Sequence, residues 1–465
     1  MGSCFNIQEL SDFARYYGFH YDSLEPMALV REILIDMERG LKGLSSSLPM
    51  IPSYITPVSK VLPGKTVLAL DAGGTNLRAS RVHFNEAGQA VAEGTVKNPM
   101  PGTKGKVNAV QFFDMIADAA LPVLSSPNAA ASKIEGIGFT FSYPMDIQPN
   151  ADGILLAFSK EVDAPDVIGK AVGAGLREAL ARKGYVYDGP IVLLNDTVAT
   201  LLSGLVSIPV DGGDAAASGA AAAPRAATKN AYGIPGGPVI GFILGTGFNT
   251  AYPETSIPKI GFESKDAPQI VVCETGTFNL RYRGPLDREY DNSTKNPGTY
   301  ALEKATSGAY LGPLTLHILK QAVKDKVIRF KKADEFLALS QLETRTLNEF
   351  SRAPLSGEGP LASFFGLDEA DALAAVQYLV SIITERGALF AASVLAATVE
   401  RMQAHCEPYA PVRIAVEGTT YMIYKGMRRS LEAWLHTMLV KEKLRPYIIA
   451  PVEQASLFGA AVAAS

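Results

Sequence analysis

Asp71-Ala72-Gly73-Gly74-Thr75-Asn76-Leu77-Arg78 interrupts two apolar runs, Val67–Leu70 before it and a second ending at Phe84. Glycines at a tight turn let backbone N–H groups approach phosphate oxygens with no Cβ in the way. Thr75 adds a hydroxyl and Arg78 a planar donor fork suited to phosphate. Asp71 adds a carboxylate able to hold Mg²⁺ through water. A plain Gly-Gly hairpin with its polar residues in water would read the same way. No Gly-Lys-Ser/Thr follows, so this is not a lysine-bearing P-loop. A strand rather than a helix follows the turn, so it is not a dinucleotide fingerprint either.

A second turn of this kind stands at Gly245-Thr246-Gly247-Phe248-Asn249, after the strand-like Val239–Leu244. Two such turns, far apart in sequence, fit two lobes that each offer a loop to one polyphosphate. Between them, the apolar Ile191-Val192-Leu193-Leu194 ends at Asn195-Asp196-Thr197. A carboxylate at the end of a buried strand is well placed to act as a general base at a cleft. The competing reading makes Asn195 or Asp196 a helix N-cap.

These residues need a scaffold. Lys65–Leu70, Arg78–Phe84, Val91–Val96, Ile134–Phe141, Gly189–Leu194, Val239–Leu244, Thr250–Tyr252, Ile270–Glu274 and Val412–Val416 read as strands. Residues 6–47, Ala109–Val123, Val167–Arg182, Thr299–Ile328, Asp368–His405 and Lys425–Leu439 read as helices. Pro49 and Pro52 force Leu48–Tyr54 to be extended. Strand and helix alternate, so the class is α/β. An echo of strand, glycine turn and strand recurs at 67–82 and 239–252. Residues 211–238, rich in Ala and Gly and nearly free of large apolar side chains, read as an insertion spliced into a loop.

The 465 residues carry 43 Lys and Arg against 47 Asp and Glu, a net charge of −4, so no basic footprint for nucleic acid is expected. No uninterrupted apolar run of about 18 residues stands out, so no membrane span is expected. Only three cysteines, Cys4, Cys273 and Cys406, are present. They cannot build a disulfide framework, which favours a reducing, cytoplasmic setting. Met1–Leu10 shows no secretory signal, and Gly2 and Cys4 fit acylation poorly because Asn6 stands where Ser or Thr is wanted.

Taken in order, the motifs resemble the hexokinase family, within the larger group of actin-like sugar kinases. Asp71–Arg78 looks like its first phosphate motif, Asp-x-Gly-Gly-Thr-Asn-x-Arg. Gly138-Phe139-Thr140-Phe141-Ser142-Tyr143-Pro144 resembles its sugar loop, with Tyr143 where Phe is usual. Ser159-Lys160 falls where the family has Thr-Lys. Asn195-Asp196-Thr197-Val198 matches the catalytic segment, and Gly245–Asn249 the second phosphate motif, with Phe248 in place of a small or polar residue. Asn296-Pro297-Gly298, Glu303-Lys304 and Ser307–Gly312 also fit, as does Leu48–Tyr54. Val416-Glu417-Gly418-Thr419-Thr420-Tyr421 resembles the adenosine motif, with Glu417 where Asp is common.

The resemblance implies a two-lobe actin-like (ribonuclease H-like) ATPase fold, each lobe a mixed sheet flanked by helices, with a cleft between them. The small lobe would be 63–198 plus 451–465 and the large lobe 1–62 plus 199–450. It also implies an ATP-dependent hexose 6-kinase using Mg²⁺, a monomer or homodimer. A catalytically inactive sugar- or nucleotide-binding regulator is the alternative. Ser142, Ser159, Lys160, Asn195, Asp196, Asn249, Glu274 and Glu303 would bind the sugar, with Asp196 as the base and Lys160 assisting. Asp71, Gly73, Gly74, Thr75, Asn76, Arg78, Thr246, Gly247, Gly418, Thr419 and Ser456 would hold the nucleotide, Asp71 also serving the metal. For single residues the residues alone leave other readings open: a surface carboxylate for Glu303, an edge charge for Glu274, a turn residue for Ser159, a solvated Lys160, an N-cap for Ser456.

Overall fold

Helices α1 (Ile7–Tyr16) and α2 (Pro26–Leu41) open the described chain. Pro26 takes the first turn of α2, where its missing N–H costs nothing, and the Glu25 carboxylate accepts from Met27 and Ala28. The proline-bearing stretch that follows is not a helix and supplies the short strand β1 (Ile51–Pro52), but it is not extended throughout, since Met50 (φ 49°) and Tyr54 (φ 56°) are left-handed. This computed structural model describes residues 6–57, 63–86, 88–125, 133–158, 162–206, 238–354, 359–366, 368–403 and 411–465. Ser159, Lys160, nearly all of the 211–238 segment, Cys4 and Cys406 lie outside them.

Strands β2 (Thr66–Gly73) and β3 (Asn76–Phe84) form an antiparallel hairpin in which Gly73 pairs with Asn76. Gly74, at φ +64°, makes the turn. Strand β4 (Ala90–Pro99) adds to β3. Helix α3 (Ala109–Leu124), closed by a reciprocal cap between Asn108 and Gln111, leads back to β5 (Gly136–Phe141), parallel to β2. A small hairpin, β6 (Met145–Ile147) with β7 (Gly153–Leu155), and helix α4 (Val172–Arg182) precede β8 (Ile191–Leu194), which is parallel to β5. Helix α5 (Asp196–Ser203) leaves the end of β8. The five-stranded sheet runs β4-β3-β2-β5-β8.

The second half repeats the plan. Strands β9 (Val239–Leu244) and β10 (Phe248–Glu254) form an antiparallel hairpin around the second glycine turn. The short pair β11 (Ser256–Ile257) and β12 (Phe262–Glu263) leads to β13 (Gln269–Val272), antiparallel to β10. Helices α6 (Pro285–Asn292), α7 (Ala301–Thr306), α8 (Leu311–Lys324), α9 (Ala333–Leu337), α10 (Thr344–Arg352) and α11 (Ala370–Gln403) follow. Strand β14 (Val412–Glu417), parallel to β9, then leads through α12 (Thr419–Ile423) and α13 (Met427–His436) to β15 (Tyr447–Pro451), parallel to β14. The sheet runs β1-β13-β10-β9-β14-β15. Leaving β1 aside, both sheets are an antiparallel trio followed by two parallel strands, so the internal echo read from two turns extends to whole sheets.

The C-terminal helix α14 (Ala455–Ala463) and α5 cross between the two sheets and share a core with residues of both, including Val67, Leu194, Val198, Val239, Val272, Leu457 and Ala461. The crossing is close because glycines allow it. A Cβ on Gly459 would stand 2.0 Å from the Ala199 carbonyl oxygen, and one on Gly138 in β5 would stand 1.8 Å from that of Ala460.

Two expectations change in detail. The helix expected over Thr299–Ile328 divides into α7 and α8, because the Gly308 and Ala309 N–H groups turn aside to the carbonyls of Gly245 (2.7 Å) and Thr246 (3.1 Å). Helix α11 has 34 residues and is long and apolar enough to cross a membrane by length and composition, although Glu385 and Arg386 interrupt its apolar run. It is the central helix of the larger core, 89% of its most apolar window is buried, and it carries the buried Arg386, paired with Asp287 at 2.7 Å.

Candidate active site

The first turn is fixed from beneath. Asp71, the sixth residue of β2, is 3% exposed and meets Arg78, its cross-strand partner on β3, at 3.0 Å. The Arg78 side chain keeps 42% of its surface exposed, so its guanidinium stays open to a further anion. Ser142 follows β5. Its N–H donates to the Ala72 carbonyl at 3.1 Å, and its Oγ would be 3.6 Å from a Cβ on Gly73. Asn76 Nδ2 donates to Thr75 Oγ1 at 3.3 Å.

The second turn is fixed by the motifs read separately above. The Gly245 carbonyl accepts from the Gly308 N–H and from Thr420 Oγ1, at 2.7 and 2.8 Å. Gly418, at φ +127°, packs so closely that a Cβ would lie 2.3 Å from the Leu244 carbonyl oxygen. The structure thus brings Gly245, Thr246 and Gly247 together with Gly418 and Thr419, and with the Ser307–Tyr310 stretch. Ser456 lies in the first turn of α14, its carbonyl accepting from Thr140 Oγ1 at 2.7 Å. The N-cap reading of Ser456 does not hold: Gln454 occupies that position.

The N-cap reading of Asn195-Asp196 holds for Asn195 and not for Asp196. Asn195 is the N-cap of α5, its Oδ1 accepting from Thr197 N–H at 2.8 Å. Asp196 is the first helical residue, at the positive end of the α5 dipole. Its charge is felt by three other carboxyls, those of Glu274, Glu303 and Glu417.

Glu274 is not an edge charge. It follows β13, an interior strand, in a left-handed conformation (φ 55°), and its Oε1 accepts from Asn249 Nδ2 at 3.0 Å. Asn249 Oδ1 accepts from Thr250 N–H at 2.8 Å, which orients that amide. Burial first, then the Asp196 and Glu303 charges, push the Glu274 carboxyl up to about 7 against the pull of Asn249. Glu303 is not a surface carboxylate either. It points inward from α7, accepts from the Phe248 N–H at 3.1 Å, and has its carboxyl raised chiefly by burial. Gly247 and Gly276 leave room for it, since a Cβ on either would stand 3.1 Å from its Oε2.

Two site residues escaped the sequence reading. Glu417, noted there only as a departure from a motif, ends β14, with its Oε2 3.5 Å from Thr200 Oγ1. Burial, then Asp196 and Asp71, push its carboxyl up to about 7, with Arg78 opposing. A carboxylate at the end of a buried parallel strand was the signal available, the same rule that picked out Asp196. The other is Tyr300, also left-handed (φ 54°), whose hydroxyl is raised by burial and by the charges of Glu274 and Glu303. Strained backbone of this kind concentrates at functional sites.

Two sheets of one strand order, joined by crossing helices and facing their glycine turns and strand-end carboxylates toward a common site, define the two-lobe actin-like α/β fold. Two family models, both described as hexokinase, match residues 10–206 and 239–465. Hexokinase-2 of Candida albicans is 26% identical over 487 aligned positions, 99% of this chain and 92% of that protein. Human hexokinase-3 is 28% identical over 83% of this chain, which spans only 40% of that longer protein. A solved hexokinase from Schistosoma mansoni, complexed with glucose, superimposes with a TM-score of 0.73 at 22% identity over 98% of both chains. The chain belongs to the hexokinase family.

Proposed function

We propose that this protein transfers the γ-phosphoryl group of MgATP to the 6-hydroxyl of glucose, and of related hexoses such as mannose and fructose, in the cytoplasm. The observation that carries the reading is the placement of Asp196. It stands at a helix N-terminus within electrostatic reach of Glu274 and Glu303 on one side and of Glu417, itself coupled to Asp71, on the other.

Glu274, Glu303, Asn249, Asn195 and Ser142 supply acceptors and donors that suit a polyol, and each would be left unmet by a sugar lacking the matching hydroxyl. Asp196 takes the proton of the 6-hydroxyl as that oxygen bonds to the γ-phosphorus. The bond from phosphorus to the bridging oxygen breaks, and ADP leaves with the electron pair. Gly73, Gly74, Thr75, Asn76, Thr246 and Gly247 present turn backbone and hydroxyls to the phosphates, with Arg78 as the accessible cation. The resemblance gives Gly418, Thr419 and Ser456 to the adenosine, and to the sugar it gives Ser159 and Lys160, which are outside the described residues. Among the described residues no three His, Cys, Asp or Glu side chains converge on a ready-made metal site. Asp71 would hold, through water, a Mg²⁺ ion brought in with the nucleotide, which would supply charge neutralisation when bound. The lobes, divided at 62/63, 198/199 and 450/451, close on the sugar and exclude water.

Release of ADP, followed by a coupled assay with glucose, mannose, fructose, glucosamine or buffer alone, tests the reading. Hexose-dependent release that disappears in Asp196→Ala, with sugar binding still measurable, is expected. Binding without turnover in the wild type would make the protein a non-catalytic relative, and near-normal turnover of Asp196→Ala would remove Asp196 as the base.

A further inference from the structure

Tyr143 stands where the resembled motif has Phe, and its hydroxyl has a definite partner. It donates to the Gly74 carbonyl at 3.0 Å, at the tip of the first glycine turn. The side chain is 3% exposed. Its ring packs against Phe141 at 4.9 Å and edge-on to Phe158 at 5.2 Å, so the hydroxyl is aimed by a ring with little freedom to move. Burial pushes the phenol up to about 12, so it remains a donor across the working pH range.

The acceptor is well chosen. Gly74 has no Cβ and sits at φ +64°, so its peptide with Thr75 has little of its own to resist rotation. In a planar trans peptide the C=O and N–H point in opposite directions. Holding the Gly74 oxygen on one side therefore aims the Thr75 N–H to the other. The next carbonyl, that of Thr75, is held separately by the Met100 N–H at 2.9 Å. The neighbour of Tyr143 on the sugar side, Ser142, holds the Ala72 carbonyl at 3.1 Å. Consecutive residues of the sugar loop thus hold the end of β2, through Ala72, and the tip of the β2–β3 turn, through Gly74.

We propose that Tyr143 is a positioning residue that holds the Gly73–Thr75 turn, through the Gly74 carbonyl, in the orientation that receives the nucleotide's phosphates, and so couples the sugar loop to the phosphate turn. The proposal rests on the hexose kinase reading for the identity of the ligands. It is distinct from that reading because it concerns a hydroxyl that acts through the turn's backbone.

Tyr143→Phe keeps the ring and removes only the hydroxyl. The nucleotide affinity of wild type and variant is measured by titration with a non-hydrolysable ATP analogue and Mg²⁺. Glucose affinity, steady-state kinetics and urea midpoints are measured alongside. Loss of one hydrogen bond of this kind is expected to weaken analogue binding, or kcat/KM for ATP, by about 3- to 10-fold. The glucose dissociation constant should stay at its wild-type value, with the urea midpoint lowered only by the small amount that one lost hydrogen bond accounts for. Analogue binding and kcat/KM within twofold of wild type would overturn the proposal. So would a parallel weakening of glucose and analogue with a lowered midpoint, which is the mark of a purely structural side chain. If the wild type turns over no hexose, the kinase reading fails, and the analogue titration still decides the role of Tyr143.

Discussion

Glu274→Gln should make the protein more stable above neutral pH while damaging its sugar side. The carboxyl of Glu274 keeps its proton to about 7, against 4.5 for an unperturbed glutamate, because burial and the Asp196 and Glu303 charges all oppose ionisation. The unfolded chain gives that proton up near the ordinary value. Between the two values the folded state binds more protons than the unfolded one, so stability falls as pH rises from about 4.5 to about 7 and is flat above. At about 1.4 kcal/mol per pH unit, the gap corresponds to about 3 kcal/mol withheld from the native state at high pH.

Glutamine has the same shape, can still accept from Asn249 Nδ2, and carries no charge to desolvate. Urea unfolding of wild type and variant at pH 5 and pH 8 measures the effect. The variant should gain about 2 to 3 kcal/mol relative to wild type between the two pH values, and its glucose affinity should fall at least tenfold at pH 8. A stability difference independent of pH would refute the argument, since it would mean that Glu274 ionises in the folded protein as it does in the unfolded chain.

Two further substitutions test the scaffold. Gly459→Ala places a Cβ 2.0 Å from the Ala199 carbonyl oxygen and should force α14 off α5, at about 1–3 kcal/mol or more. A thermal midpoint unchanged from wild type would mean that the two helices do not cross as described. Arg386→Met leaves the buried Asp287 carboxylate without the guanidinium that meets both its oxygens, at 2.8 and 2.7 Å, and should cost about 3–5 kcal/mol by urea unfolding. Arg386→Met with Asp287→Asn should recover a large part of that loss, and a double variant no better than the single one would argue against an uncompensated charge as the cause.

The hairpins were legible in sequence because glycine punctuates them. Gly73-Gly74 and Gly245-Thr246-Gly247 break apolar runs and the strands end beside them, whereas the lone Gly241 stays within β9. Strand pairing beyond each hairpin was not legible. Strand β14 lies beside β9 although about 170 residues separate them, and nothing local in either records it. Strand β15 was missed for a different reason. Its apolar run, Tyr447-Ile448-Ile449-Ala450, is short and bounded by Pro446 and Pro451, and it lies half exposed on the sheet edge. Helix α7 ends where two of its expected N–H groups are claimed by carbonyls about 60 residues away, a tertiary override of a helical pattern.

The site was legible to differing depth, and the order of the strands explains why. In each half, a parallel strand joins the hairpin and carries a polar group at its C-terminal end. Ser142 follows β5, Asp196 follows β8, and Glu417 ends β14. That rule needs only a strand and a residue type, so Asp196 could be named from sequence. Applied to Val412–Val416, the same rule reaches Glu417, which a comparison with a motif had set aside as an exception. Glu274 and Glu303 obey no such rule. One sits on a left-handed residue after an antiparallel strand, the other on a six-residue helix 29 positions later, and they meet because Gly247 and Gly276 leave space for the second carboxylate. Only the resemblance placed them together. The carboxyls raised in the folded protein, Glu274, Glu303 and Glu417, all feel Asp196. The site therefore holds more negative charge than its burial can bear without a cation or a proton. Hydroxyl donors from a sugar would relieve that excess, and it is the reason the neutral variant at Glu274 should gain stability as it loses function.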